Sequence, residues 1–130
     1  MLPITAIFAG LLALWLAVLQ FKVVRFRRSE KVSLGDGGHQ MGERLIRAHG
    51  NAVETIPIFL ILMAAAESLD TPQWVLAVLG LVFLAGRLMH GVHFFKIRQG
   101  FKLRFYGMVC TLLATLGMAL GAIAHGLAAL

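Results

Sequence analysis

Arg47, Asn51 and Glu54 are separated by four and three residues. At about 100° per residue on a helix they fall within roughly 60° of one another and form one polar stripe. A cation, an amide and a carboxylate in a row can hold a zwitterionic, peptide-like ligand. The arginine would take a carboxylate, the glutamate an ammonium and the asparagine a backbone amide. The same residues can instead neutralise charges on neighbouring helices near an interface. Arg87, His90 and Phe94 make a second stripe at spacings of three and four, with His93 at its margin. His49 falls on the opposite side of the helix that carries the first stripe. His90 and His93 are metal-ligating types, but no third ligand stands at a suitable spacing, so no metal is expected.

Both stripes belong to an apolar chain. Of its 130 residues, 59% are hydrophobic and 14% charged, whereas about a quarter of a soluble domain is charged. A soluble protein this short could not hide so much apolar surface from water, but a bilayer can. The net charge of +6 comes from 12 basic and 6 acidic residues. The basic ones fall in two segments, Lys22 to Arg47 and Arg87 to Arg104, each beside apolar runs of spanning length. That pattern points to orientation in a membrane and not to nucleic acid. Cys110 is the single cysteine; it excludes an intramolecular disulfide and reads as a small packed residue.

The elements that must position the stripes follow from the apolar runs. Leu2 to Phe21 carries no charge and is long enough for a hydrocarbon core of about 30 Å. A secretory signal would place its charges before the apolar run; here they come after it, so this reads as a retained span. Gly35-Asp36-Gly37-Gly38 is the clearest turn signal. The expected spans are residues 2–24, 41–68, 73–95 and 103–128 of a single domain. Glu67, Asp70, Thr71 and Pro72 form a short acidic connection between the second and third. Pro57 lies inside the second span, where a membrane helix tolerates it with a kink. Cys110, Ala114, Gly117 and Gly121 line one face of the fourth span, and Ala6, Gly10 and Ala17 one face of the first. Such faces allow close helix packing. The fold class is therefore all-α integral membrane, a four-transmembrane-helix bundle.

The stretch Arg47-Ala48-His49-Gly50-Asn51-Ala52-Val53-Glu54 resembles the RAxxNxxE signature of the membrane-associated proteins in eicosanoid and glutathione metabolism, the MAPEG family. The four-span pattern matches over nearly the whole chain. Gly35-Asp36-Gly37-Gly38 and Leu84-Ala85-Gly86-Arg87-Leu88-Met89-His90 look particularly like its small bacterial branch. The resemblance implies a homotrimer in the bacterial inner membrane, with glutathione as co-substrate bound between adjacent subunits near the cytoplasmic side. Arg47, Asn51, Glu54, Arg87 and His90 would hold the tripeptide, with Arg25 or Arg27 from the first helix, and Tyr106 is counted with them. Arg104 matches the fourth-helix arginine that stabilises the glutathione thiolate. Where members often carry a tyrosine, this chain has Phe94, which cannot donate a hydrogen bond. The implied activity is that of a glutathione-dependent transferase or peroxidase acting on lipophilic small-molecule electrophiles that enter from the membrane lipids. The alternative is a non-catalytic membrane protein of the same fold that binds a lipid or protein partner.

The charge pattern sets the expected topology. Both basic segments should face the cytoplasm, with both termini and the Glu67–Gln73 connection on the other side. Reporter fusions at the C-terminus should be active only outside the cytoplasm; activity confined to the cytoplasm would overturn the orientation.

Overall fold

The computed structural model describes residues 1–98 and 100–130. These form four helices: α1 (Pro3–Ser29), α2 (Gln40–Ser68), α3 (Gln73–His93) and α4 (Lys102–Ala128). All four are long and apolar enough to cross a membrane. Two ends differ from the sequence expectation. α1 runs past residue 24 to Ser29, because nothing in that stretch breaks a helix and Arg27 and Arg28 sit favourably at its negative end. α3 stops at His93. Phe94 and Phe95 turn away through tighter bonds to the Gly91 and Val92 carbonyls, at 3.0 and 3.1 Å.

The core is a column of apolar side chains from all four helices. Leu12 and Leu19 of α1, Phe59 and Met63 of α2, Leu76 and Phe83 of α3, and Met118 of α4 are each at most 2% exposed. Phe59 and Phe83 stack at a centroid distance of 3.8 Å with rings 7° apart, which ties α2 to α3. Leu14, Phe21, Ile61, Leu81, Leu113 and Leu120 are exposed on the outside, the inversion expected where lipid or another subunit covers the surface. α2 continues through Pro57. Two residues before it, the Thr55 hydroxyl donates to the Asn51 carbonyl at 2.9 Å, a hydroxyl-to-backbone bond of a kind common in membrane helices.

α3 and α4 form the most extensive helix pair, and two glycines explain why. A Cβ on Gly107 would lie 2.7 Å from the backbone nitrogen of His90 and 2.8 Å from the Gly86 carbonyl oxygen. A Cβ on Gly86 would lie 2.8 Å from the Gly107 carbonyl oxygen. The helices therefore meet backbone to backbone, the close approach that small residues permit where lipid supplies no hydrophobic drive. The small-residue face expected on α4 packs against α3 of the same chain. Ala114 is fully buried there, and a Cβ on Gly117 would meet Leu79 at 3.2 Å. A Cβ on Gly121 would meet nothing within 4 Å.

Glu67 is a structural finding that the acidic connection did not foretell. It belongs to the last turn of α2 and is 9% exposed. Its two carboxylate oxygens accept hydrogen bonds from the backbone N–H groups of Ile4 and Thr5, each at 2.8 Å. Leu2, at the N-cap of α1, supplies no side-chain cap. Glu67 therefore caps α1 from another helix, with its negative charge against the positive end of the α1 dipole. Glu67→Ala leaves two amide donors without this acceptor and should lower stability by about 2 kcal/mol. Thermal unfolding in mild detergent should show an earlier transition, with Glu67→Gln intermediate because it keeps one acceptor oxygen. A parent-like melting curve for Glu67→Ala would remove the capping role.

Candidate functional site

At the end of the bundle that carries the basic residues, α2, α3 and α4 enclose a cavity of about 330 Å³. α2 contributes Gln40, Glu43, Arg44, Arg47 and Asn51 to its wall, successive turns of one helix face. His90 and Phe94 enter from the end of α3, and Arg104 and Met108 from the start of α4. The Gly86–Gly107 crossing sets this geometry, because it fixes the first turns of α4 against the last turn of α3. Three arginines face one carboxylate, Glu43, so the cavity suits a ligand carrying more than one anionic group.

Arg87 lies behind this wall, fully buried on α3. Its Nη2 donates to the Asn51 side-chain oxygen at 2.9 Å and lies 3.4 Å from His90 Nδ1. A guanidinium has only donors, so Nδ1 must present its lone pair, which fixes the histidine tautomer. Arg87 Nε and Nη1 have no hydrogen-bond partner among the described residues. A buried guanidinium with two donor nitrogens unpaired is an unsatisfied charge immediately beside the cavity.

Phe94 is the other centre of the site. Its ring lies 5.4 Å from the Arg44 guanidinium carbon and 5.7 Å from that of Arg104, both over its face. The His90 and His93 rings are 5.2 and 5.1 Å away. Arg44 also donates to the His93 carbonyl at 2.8 Å, which ties α2 to the end of α3. Phe94 thus organises two arginines by its ring face where a tyrosine would contribute a hydroxyl.

The cavity gathers Arg47, Asn51, His90 and Arg104 of the residues singled out from sequence, with Arg87 bonded to its wall. Arg25, Arg27, Glu54 and Tyr106 do not line it. Arg27 Nε donates to the Gly35 carbonyl at 3.2 Å, fastening α1 to the following loop. Arg25 lines a separate recess with Lys22. Glu54 and Tyr106 are exposed on the outside of the chain. Sequence reasoning missed Glu43 and Arg44. Extending the α2 stripe back by three residues from Arg47 would have found Arg44. Among the described residues no three His, Cys, Asp or Glu side chains come together as metal ligands.

A four-span membrane bundle with an arginine-rich cavity at its basic end defines the class, and residues 5–124 match the MAPEG family. The chain belongs to that family. The inner membrane protein YecN of Escherichia coli strain K12 is 43% identical to it over 119 residues, 90% of this chain and 88% of the relative. The YecN protein of the E. coli O6:H1 strain matches to the same extent.

The Asn51–Arg87 bond generates a stability prediction. Asn51→Ala removes the closer partner of Nη2, leaving it only the 3.4 Å contact with His90, and should destabilise the protein by about 1–3 kcal/mol. Asn51→Asp restores an acceptor and should melt closer to the parent. Equal stability of the parent and Asn51→Ala would show that the bond contributes nothing.

Proposed function

We propose that this protein binds glutathione in the α2–α3–α4 cavity and uses it as a nucleophile towards lipophilic electrophiles dissolved in the bacterial inner membrane. The observation that carries this reading is the convergence of Arg47, Asn51, His90 and Arg104 on one polar cavity at the basic end. Glutathione has two carboxylates, an ammonium and a thiol; the arginines, the Asn51 amide and a nearby carboxylate complement them. Family membership and the inner-membrane relatives support the same reading.

Arg104 is the thiolate partner in this scheme. It stands at the start of α4 on the cavity wall. The thiolate is the nucleophile, and a free thiol with a pKa of about 8.5 is only a few per cent ionised at pH 7. A guanidinium close to the sulfur favours the anion and remains protonated itself. The thiolate lone pair then forms a bond from sulfur to an electrophilic carbon, and the bond from that carbon to the leaving group breaks, its electron pair departing with the leaving group.

Glu54 supports an inter-subunit site. The stripe begins inside the cavity at Arg47 and Asn51 and ends outside the chain at Glu54. A ligand that spans all three reaches beyond one chain, and a carboxylate facing out of a membrane helix needs a partner there. A homotrimer supplies both. Arg25 and Arg27 stand about 200° apart on α1, so only one of them faces any given neighbour.

Glutathione should raise the melting temperature of the purified protein in mild detergent, and Glu54→Gln should weaken that binding while keeping the shape. Arg104→Ala should still bind, with the thiolate fraction at neutral pH reduced roughly eightfold to twenty-five-fold, for one or two pKa units lost. Thiolate absorbance against pH reads this directly. No shift with glutathione would leave a non-catalytic membrane protein of the same fold. Binding with an unchanged titration in Arg104→Ala would return the thiolate role to another group.

A further inference from the structure

The inner end of the arginine-rich cavity, where its three helices run into the bundle, is walled by Asn51, His90 and Met108. Glu43, the carboxylate on the wall, stands eight residues before Asn51 on α2, about 12 Å away along the helix axis. Asn51 and His90 therefore supply the uncharged polar groups of the inner end, and both are ambident. A carboxamide can show a ligand either its carbonyl oxygen or its NH2. A neutral imidazole can show either a lone pair or an N–H.

Arg87 settles both choices with one nitrogen. It is fully buried and stands behind the cavity wall, so it reaches a ligand only through its neighbours. Nη2 carries two hydrogens. One is donated to Asn51 Oδ1 at 2.9 Å, and the other faces His90 Nδ1 at 3.4 Å. With its oxygen held, Asn51 has only its NH2 left to offer. With the Nδ1 lone pair held, neutral His90 carries its proton on Nε2. Turning the Asn51 amide over would aim donors at a donor-only guanidinium and leave Nη2 without its closer acceptor, which is unfavourable in a buried place.

We infer that Arg87 is a positioning residue that makes donors of Asn51 and His90, so that the inner end of the cavity takes ligand groups that only accept hydrogen bonds. A carboxylate or a carbonyl meets that condition; an ammonium or the N–H side of an amide does not. An ammonium on the same ligand is left to the carboxylates, Glu43 at the outer end of the cavity or Glu54 beyond it. The polarity of the wall is independent of the ligand's identity. That the acceptor belongs to glutathione rests on the proposed function.

The first measurement is the nitrogen-15 spectrum of the histidine rings of the whole protein in mild detergent, with His90 assigned by its loss in His90→Gln. The parent should show neutral His90 protonated on Nε2, with Nδ1 as a hydrogen-bonded lone pair. In Arg87→Met that bond should vanish and the Nδ1-protonated form should become populated. A parent His90 protonated on Nδ1, or a spectrum unchanged in Arg87→Met, overturns the role. Packing alone would move the melting temperature and leave the ring proton where it was. Should Arg87→Met fail to fold, the parent spectrum is joined by affinities for glutathione and for glutathione with both carboxylates amidated. Asn51→Asp keeps an oxygen for Arg87 but shows the cavity an acceptor in place of the NH2. It should bind glutathione at least about tenfold more weakly, and the ratio of the two affinities should move roughly tenfold towards the diamide, whose amides can donate. Gln40→Glu adds the same charge at the outer end of the cavity and should move that ratio less than about threefold. Equal shifts in the two variants, or none in Asn51→Asp, overturn the donor-only inner end. If the parent binds neither compound, the proposed function falls, and the nitrogen spectra still decide the role of Arg87.

Discussion

Two glycines on facing helices, Gly86 and Gly107, let α3 and α4 touch backbone to backbone, and the site depends on that contact. In a bilayer apolar side chains gain little by leaving lipid for protein, so helix association rests on close packing and on polar bonds. A methyl group at either position would press on a backbone nitrogen or carbonyl oxygen that cannot move alone. Separating the helices there would shift Arg104 and Met108 relative to His90 and Phe94, and these four residues form the α3–α4 side of the cavity. Packing in the membrane and chemistry at its edge are in this way one constraint.

The second theme is how charge is accommodated in a chain this apolar. Lys22 and Arg25 stand at the edge of the apolar run, where long stems lie along apolar surface and their heads reach polar surroundings. Glu67 is carried at the opposite end and spends both oxygens on the first turn of α1. Arg87 is the exception. It is wholly buried, with one nitrogen bonded to Asn51 and two without partners among the described residues. An unpaired buried charge is unfavourable, and its neighbours here are the residues of an arginine-rich cavity. An anionic ligand in that cavity would offset part of this unfavourable term as well as meeting Arg44, Arg47 and Arg104.

Much of this architecture was legible in the sequence, because the bilayer simplifies the signal. Apolar runs of spanning length, separated by glycine-rich, acidic and basic segments, leave little choice of fold. Helical spacing placed Arg47 with Asn51 and Arg87 with His90. Other features depend on tertiary contacts that spacing cannot express. Glu67 looked like part of a polar turn because its partners, the amides of Ile4 and Thr5, lie more than sixty residues away. The Gly86–Gly107 contact was hidden because many glycines and alanines in the spans look alike. Gly121, on the face that the pattern did pick out, has nothing close to it. Phe94 stood out only by its missing hydroxyl, whereas the structure shows an aromatic face flanked by two arginines.

The α2 stripe is the part of the chain on which the proposed inter-subunit site rests. Arg47 and Asn51 face the cavity, yet Glu54, on the same side of the helix and deeper in the span, faces outwards. One chain therefore leaves a carboxylate exposed at a depth where lipid offers it nothing, one turn beyond the cavity residue Asn51. Lipid cannot satisfy that carboxylate, and water reaches it only if the surface is not lipid-facing. In the proposed homotrimer a neighbouring subunit would resolve this by covering Glu54. On the proposed function the polar stripe has two roles: its inner part would hold ligand, and its outer part would make the assembled protein the unit that binds.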